Sequence, residues 1–220
     1  MNDIILNIYK PPGLTSYDVI RKIKHITRIK KVGHSGTLDP MAEGVLLVCI
    51  GRATKKIPQL MNMEKEYIAE IMLGISTDTF DKTGNIVECR NVPELTSEQL
   101  SNILIKFKGR QPQLPPPFSA RKYRGKRLYN YAREGKKVPL KPSMIEIYEL
   151  RLMEYRNFKI KIFVRCSKGT YIRRLADDVG KVIGCGAHLI NLIRTRIGNF
   201  PIEKAIKLNE LRNRWKFTEG

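Results

Sequence analysis

The chain has 220 residues, with 41 lysines and arginines against 21 acidic residues, a formal charge of +20. That length supports one buried core, or a core with a small appendage, and 42% hydrophobic residues is too many for a disordered chain. A charge this large opposes compaction and points to a polyanionic partner, nucleic acid before an acidic membrane surface. The four cysteines, Cys49, Cys89, Cys166 and Cys185, form no CxxC pair, and His25, His34 and His188 add no metal-ligand spacing. The expectation is reduced thiols in a cytoplasmic protein, with no metal and no cofactor. The N-terminus carries no signal-peptide pattern, and the longest apolar run, Val45–Ile50, is far too short to span a bilayer.

In chain order, "IILNIYKPPG" predicts a strand stopped by Pro11-Pro12-Gly13. "TSYDVIRKIKHITRIKK" predicts a helix capped by Thr15 or Ser16, with Asp18 in its first turn and Lys30 and Lys31 in its last. "GVLLVCIG" predicts a buried strand, and "EKEYIAEIMLGIST" an alternating one with Tyr67, Ala69, Ile71 and Leu73 on one side. "DKTGNIVE" turns into a hairpin partner. Thr96 and Gln99 form a capping box for a helix that carries Leu100, Ile103, Leu104 and Phe107 inward. The proline-rich, basic connector that follows is expected to be irregular, with a short helix at "LYNYAREG". Two strands then meet at Arg156-Asn157; in the second, Phe158, Ile160, Ile162 and Val164 face one way and Lys159, Lys161 and Arg165 the other. A helix from about Thr170, a strand over "AHLINLIRTRIGNF" and a short C-terminal helix complete the chain. Hairpin-linked strands mixed with helices predict an α+β fold whose central sheet is mixed but mainly antiparallel.

Four places could carry chemistry. Asp39 lies in "SGTLDP", between a permissive glycine and a proline, among Lys30, Lys31, Arg52, Lys55 and Lys56; an Asp-Pro turn is the ordinary reading. In such a field the carboxylate is held ionised, and an ionised carboxylate acts as a nucleophile or steadies an oxocarbenium-like centre. Arg173 and Arg174 occupy the first turn of a helix, where partial positive charge calls for a compensating carboxylate or phosphate; the alternative is a solvated surface arginine. Tyr67 on its strand is either core or a ring that stacks on an extruded base. The segment from about Gln111 to Lys141 interleaves Arg121, Lys122, Arg124, Lys126, Arg127, Lys136 and Lys137 with Phe118, Tyr123, Tyr129 and Tyr131. Cations for phosphates and rings for bases suit nucleic-acid contact better than a merely solvated loop.

Five segments in order, "KPPGLTSYDVIRKIK", "KVGHSGTLDPMAEGVLLVCIGRATK", "EKEYIAEIMLGISTDTFDKTG", "QLPPPFSARKYRGKRLYNYAREG" and "CSKGTYIRRLADDVG…GCGAHLINLIRT", resemble the TruB family of tRNA pseudouridine synthases from about Lys10 to Ile197. The resemblance implies the pseudouridine synthase fold: a central mixed sheet flanked by helices and loops, with a basic RNA-binding cleft. It implies isomerisation of the T-loop uridine at tRNA position 55, without cofactor or metal, by a cytoplasmic monomer that acts on the T-arm stem-loop. By the same resemblance Asp39 is the catalytic aspartate, Tyr67 stacks on the target base, and Arg173 pairs with the aspartate. His34, Tyr171 and Leu192 line the substrate site. The 111–141 insert, with Arg121, Lys122, Lys126 and Arg127, closes over the RNA. A single catalytic domain over residues 1–220 is expected, with no PUA-type module evident after the last matched strand. The rival readings are a non-catalytic RNA-binding or RNA-folding module and a base-releasing glycosylase.

Overall fold

The computed structural model describes residues 3–119, 121–136 and 138–216, and leaves aside the side chains of Lys122, Arg133, Arg214 and Lys216. Lys137 and the Lys122 side chain, both expected in the basic insert, therefore lie outside the described residues. The chain divides into two compact units: one holds the chain up to Tyr67 and from Leu192 onward, the other Ile68–Asn191.

The first unit contains β1 (Ile4–Lys10), α1 (Ser16–Thr27), β2 (Val32–His34), β3 (Glu43–Ile50), a 3-10 turn over Gly51–Lys56, α2 (Ile57–Asn62) and the start of β4 (Lys65–Leu73). The second holds the rest of β4, then β5 (Ile75–Thr77), β6 (Ile86–Cys89), α3 (Ser97–Ile105), β7 (Gly109–Gln113), β8 (Lys122–Tyr123), β9 (Lys126–Arg127), α4 (Leu128–Arg133), β10 (Ser143–Arg156), β11 (Lys159–Cys166), α5 (Ile172–Ile183) and the first half of β12 (Ala187–Ile197). The chain returns to the first unit within β12 and ends with β13 (Phe200–Pro201), a 3-10 turn over Ile202–Lys204, and α6 (Leu208–Lys216).

In the first unit β3 pairs antiparallel with β1 and β2, and parallel with β12 at Ile193↔Glu43 and Arg194↔Gly44. Apolar side chains on both faces of β3 explain its continuous hydrophobic run. Leu46, Val48 and Ile50 pack with Leu6, Ile8, Ile23 of α1 and Leu211 of α6. Val45, Leu47 and Cys49 pack oppositely with Ala53, Leu60 and Ile197. In the second unit the long antiparallel β10–β11 hairpin is joined by β7 along β10. Among the described residues no helix is long and apolar enough to cross a membrane.

Several boundaries differ from the sequence expectation. The first helix ends at Thr27, and Arg28 takes the left-handed conformation (φ 58°), so Lys30 and Lys31 lie beyond it. The early stop lets Ile29 and Val32 turn back onto the same core. Thr15, one of the two expected candidates, is the N-cap, and Asp18 in the first turn completes a capping box with it. Phe158 does not share the inward side of β11: with Asn157 it makes the left-handed turn between β10 and β11 and is 54% exposed. The connector is more regular than expected. Gly109–Gln113 forms β7, at the edge of β10, where Pro112 is tolerated. Arg124-Gly125, both at positive φ, close the β8–β9 hairpin.

Candidate active site and nucleic-acid interface

Asp39 is half-buried in the turn between β2 and β3. What holds this turn is positive charge placed beneath it. Lys10, the last residue of β1, is fully buried, and its Nζ donates to the carbonyls of Leu14 (2.6 Å), Pro11 (3.0 Å) and Pro40 (3.3 Å). Arg194 of β12, 2% exposed, donates from Nε to Val45 (2.7 Å), from Nη2 to Gly36 (3.1 Å) and from Nη1 to Thr37 (3.5 Å). The Ser16 hydroxyl, at the start of α1, accepts from Leu38 N–H at 2.9 Å and donates to Leu38 C=O at 3.2 Å. Gly13 N–H donates to Pro40 and Ala42 N–H to Asp39. Every backbone carbonyl from Gly36 to Pro40 thus accepts a hydrogen bond. A turn so restrained presents the Asp39 side chain from a fixed base.

Desolvation pushes Lys10 down to about 8, and the charge of Arg194 acts in the same direction. The carboxylates of Asp39, Glu43 and Asp18 oppose the fall. A positive charge is tolerated here because carbonyl dipoles and a nearby carboxylate replace its water. Tyr9, next to Lys10, donates its hydroxyl to Glu43; burial first, then Glu43, pushes that hydroxyl up to about 12. Gly44 (φ 103°) makes the close pairing with β12 possible, since a Cβ there would fall 2.3 Å from the Arg194 carbonyl oxygen. In the same unit His34 is half-buried on β2, and its Nδ1 accepts from Gly36 N–H at 3.3 Å. Tyr67 and Leu192 are both buried, at 7% and 5% exposure.

Arg173 lies in the second unit, in the first turn of α5, and is buried. The compensating carboxylate within that unit is Asp81, whose Oδ2 is 3.6 Å from Arg173 Nη1. Arg173 Nη2 also donates to the Phe118 carbonyl at 2.6 Å, and Nη1 to that of Thr79 at 3.4 Å. Asp81 Oδ1 accepts from the Thr83 hydroxyl (2.5 Å), Thr83 N–H (2.9 Å) and the Thr79 hydroxyl (2.9 Å). Between them Phe80 sits at φ 64°, with the Arg174 and Lys181 cations 5.5 and 5.7 Å from its ring centre. Tyr171 is the N-cap of α5 rather than its first residue. The Gln113 side-chain amide holds both sides of it, accepting from Tyr171 N–H at 2.8 Å and donating to Tyr171 C=O at 3.1 Å.

The insert presents its cations on aromatic rings. Arg124 lies 5.6 Å from the Tyr123 ring centre, Lys126 5.1 Å from Tyr131, and Arg127 6.0 Å from Tyr129. Lys126 also pairs with Glu134, as does Lys136 at 3.2 Å. Arg121 is engaged structurally: its Nη1 donates to the Ser143 hydroxyl (2.7 Å) and the Lys141 carbonyl (3.1 Å) at the foot of β10. Among the described residues no group of three or more His, Cys, Asp or Glu side chains is placed to hold a metal ion.

Lys10, Arg194, Ser16, Asp81 and Gln113 were not singled out as site residues from sequence. The Thr-Asp-Thr-Phe-Asp-Lys-Thr run around Asp81 was the one available signal, since alternating threonines and aspartates mark self-bonded turns. A lysine at a strand end and an arginine on a strand carry no comparable mark.

The comparisons with known proteins agree with the motifs. Residues 24–172 match the TruB family pseudouridylate synthase N-terminal domain, and residues 173–219 the tRNA pseudouridylate synthase B C-terminal domain. The tRNA pseudouridine synthase B of Francisella philomiragia is 50% identical over 214 residues, 97% of this chain and 70% of that protein. The one from Caldanaerobacter subterraneus is 49% identical over 96% of this chain and 74% of its own length. Among solved structures, a chain of a Cbf5-Nop10-Gar1 complex superposes with a TM-score of 0.76 at 30% identity over 98% of this chain. A chain of an H/ACA RNP bound to a substrate RNA containing 2′-deoxyuridine superposes at 0.72 and 28%, also over 98%. The present chain spans about half the length of those two solved chains (54% and 55%). With the expected mixed sheet and the matched motifs in place, the chain belongs to the TruB family of pseudouridylate synthases.

Proposed function

We propose that this chain isomerises uridine to pseudouridine at position 55 in the T loop of tRNA, with Asp39 as the reacting carboxylate. The observation that carries the reading is the Asp39 turn, whose five carbonyls from Gly36 to Pro40 are all held, in a member of this family. The reaction breaks the N-glycosidic bond, turns the base, and joins C5 to C1′. No atom is lost and no electron is transferred, so side chains suffice. The uridine must first leave its stack, which costs a few kcal/mol and least in a loop. Tyr67 stacks on the extruded base, and Leu192, His34 and Tyr171 complete the pocket. The Arg173 guanidinium pairs with Asp39, keeps it ionised and fixes its aim. The filled pocket excludes water, and the charges then act at full strength. The carboxylate adds to C1′, adds to C6, or promotes elimination; all three routes need it ionised and immobile. The basic insert closes over the T arm, and the enzyme works as a cytoplasmic monomer.

The test is mass analysis of an unmodified T-arm transcript after incubation with the chain and with Asp39→Asn. Isomerised base at unchanged mass with the wild type, and none with the variant, supports the reading. An abasic product would identify a glycosylase, and unaltered RNA with retained binding a non-catalytic RNA-binding module; either result overturns it.

A further inference from the structure

Away from the Asp39 turn, α1 and α6 enclose an open groove of about 400 Å³ within the first unit. Arg21 and Lys22 and, one helical turn further, His25 line it from α1, and Arg212 lines it from α6. Ile26 and Leu208 contribute apolar lining and also pack against the unit's core, while Leu211 (2% exposed) anchors α6. Arg21 is paired with Asp18 at 2.9 Å. Lys22, His25 and Arg212 make no hydrogen bond or ion pair among the described residues, and all three are exposed. Among the described residues no acidic side chain lines the groove; Asp18 reaches it only as the partner of Arg21.

We infer that this groove is a second RNA-binding site, one that takes sugar–phosphate of the substrate outside the everted uridine. The inference rests on the proposed RNA substrate. Two arginines and a lysine around the groove, of which only Arg21 is paired with a carboxylate among the described residues, suit a polyanion, and the apolar lining suits the sugar face between phosphates. The same helix links the two sites. Ser16 at the start of α1 holds Leu38 beside Asp39, and residues 21–25 follow about 8–14 Å further along the helix axis. RNA that delivers a uridine to Asp39 can therefore continue along α1. A protein segment would need several carboxylates to satisfy the same cations.

The experiment measures the affinity of full-length unmodified tRNA across a salt series, for the wild type and for a Lys22→Gln, His25→Gln, Arg212→Gln variant. Removing the two phosphate contacts of Lys22 and Arg212 should weaken binding about tenfold and make the slope of log affinity against log salt shallower by about 1.5–2. The thermal midpoint and the turnover of saturating tRNA should not change. A Lys22→Arg, Arg212→Lys variant should bind like the wild type. Unchanged affinity and slope in the triple variant would overturn the inference. So would weaker binding at an unchanged slope, or a change of oligomeric state in place of RNA affinity. Repeating the series in an Asp39→Asn background separates this result from the isomerase reading, since affinity is then read without turnover.

Discussion

The Gly36–Pro40 turn and the Lys122–Arg133 hairpin and helix are both basic neighbourhoods, and they use charge in opposite ways. Beneath the turn, Lys10 and Arg194 are buried and their donors are directed at backbone carbonyls. In the insert, Arg124 and Arg127 are exposed and stand against tyrosine rings. A buried cation that bonds to carbonyls fixes geometry, whereas an exposed cation on a ring remains available to a phosphate. Losses at the turn should therefore fall on turnover and stability, and losses in the insert on affinity and its salt dependence.

The largest effect should come from Asp39→Asn: a fall in turnover of about 10³-fold or more with tRNA affinity nearly intact. An active variant would remove the turn from the chemistry. Next come Arg173→Lys and Asp81→Asn, each expected to lower kcat about 10²-fold, because a point charge does not replace a planar fork and the fork needs its anchor. Single-turnover rates with bound RNA check this, and a purely KM effect would contradict it. Arg194→Met should destabilise the chain by roughly 3 kcal/mol in urea, since three carbonyls lose their donor, and should slow turnover about tenfold. At the other pole, Arg124→Gln with Lys126→Gln should weaken tRNA binding only about three- to tenfold and flatten its salt slope. The urea midpoint should stay in place. A loss of stability there would erase the contrast between the two regions.

A pH series refines the same contrast. Lys10 sits at about 8 in the folded chain against an ordinary 10.5. Below 8 both folded and unfolded chains hold the proton; between the two values only the unfolded chain does. Stability from this group therefore rises with pH across that window. Relative to Lys10→Met, the wild type should gain up to about 3 kcal/mol between pH 8 and 10.5. Equal pH dependence of the two urea midpoints would show that Lys10 is not desolvated.

Much of the arrangement was legible in the sequence because its signals are local. The cap at Thr15, the capping box at Thr96 and the alternation of β4 and β11 depend on neighbours a few residues away, and the structure reproduces them. Arg173 at the start of a helix was conspicuous because the helix dipole made it locally wrong. Its partner within the unit, Asp81, lies 92 positions earlier in the chain, and no local rule reaches that far. The end of α1 was misjudged because Lys30 and Lys31 continue a helical pattern that the packing of Ile29 and Val32 overrides.

What the sequence alone determined was the order of the longer strands and helices, the basic insert and the identity of the motifs, since periodicity, capping and composition are written in adjacent residues. What only the tertiary structure decided was which cations become internal supports and which face solvent. That choice depends on burial, and burial is set when β1, β12 and α1 converge on the Asp39 turn from positions as far apart as Lys10 and Arg194.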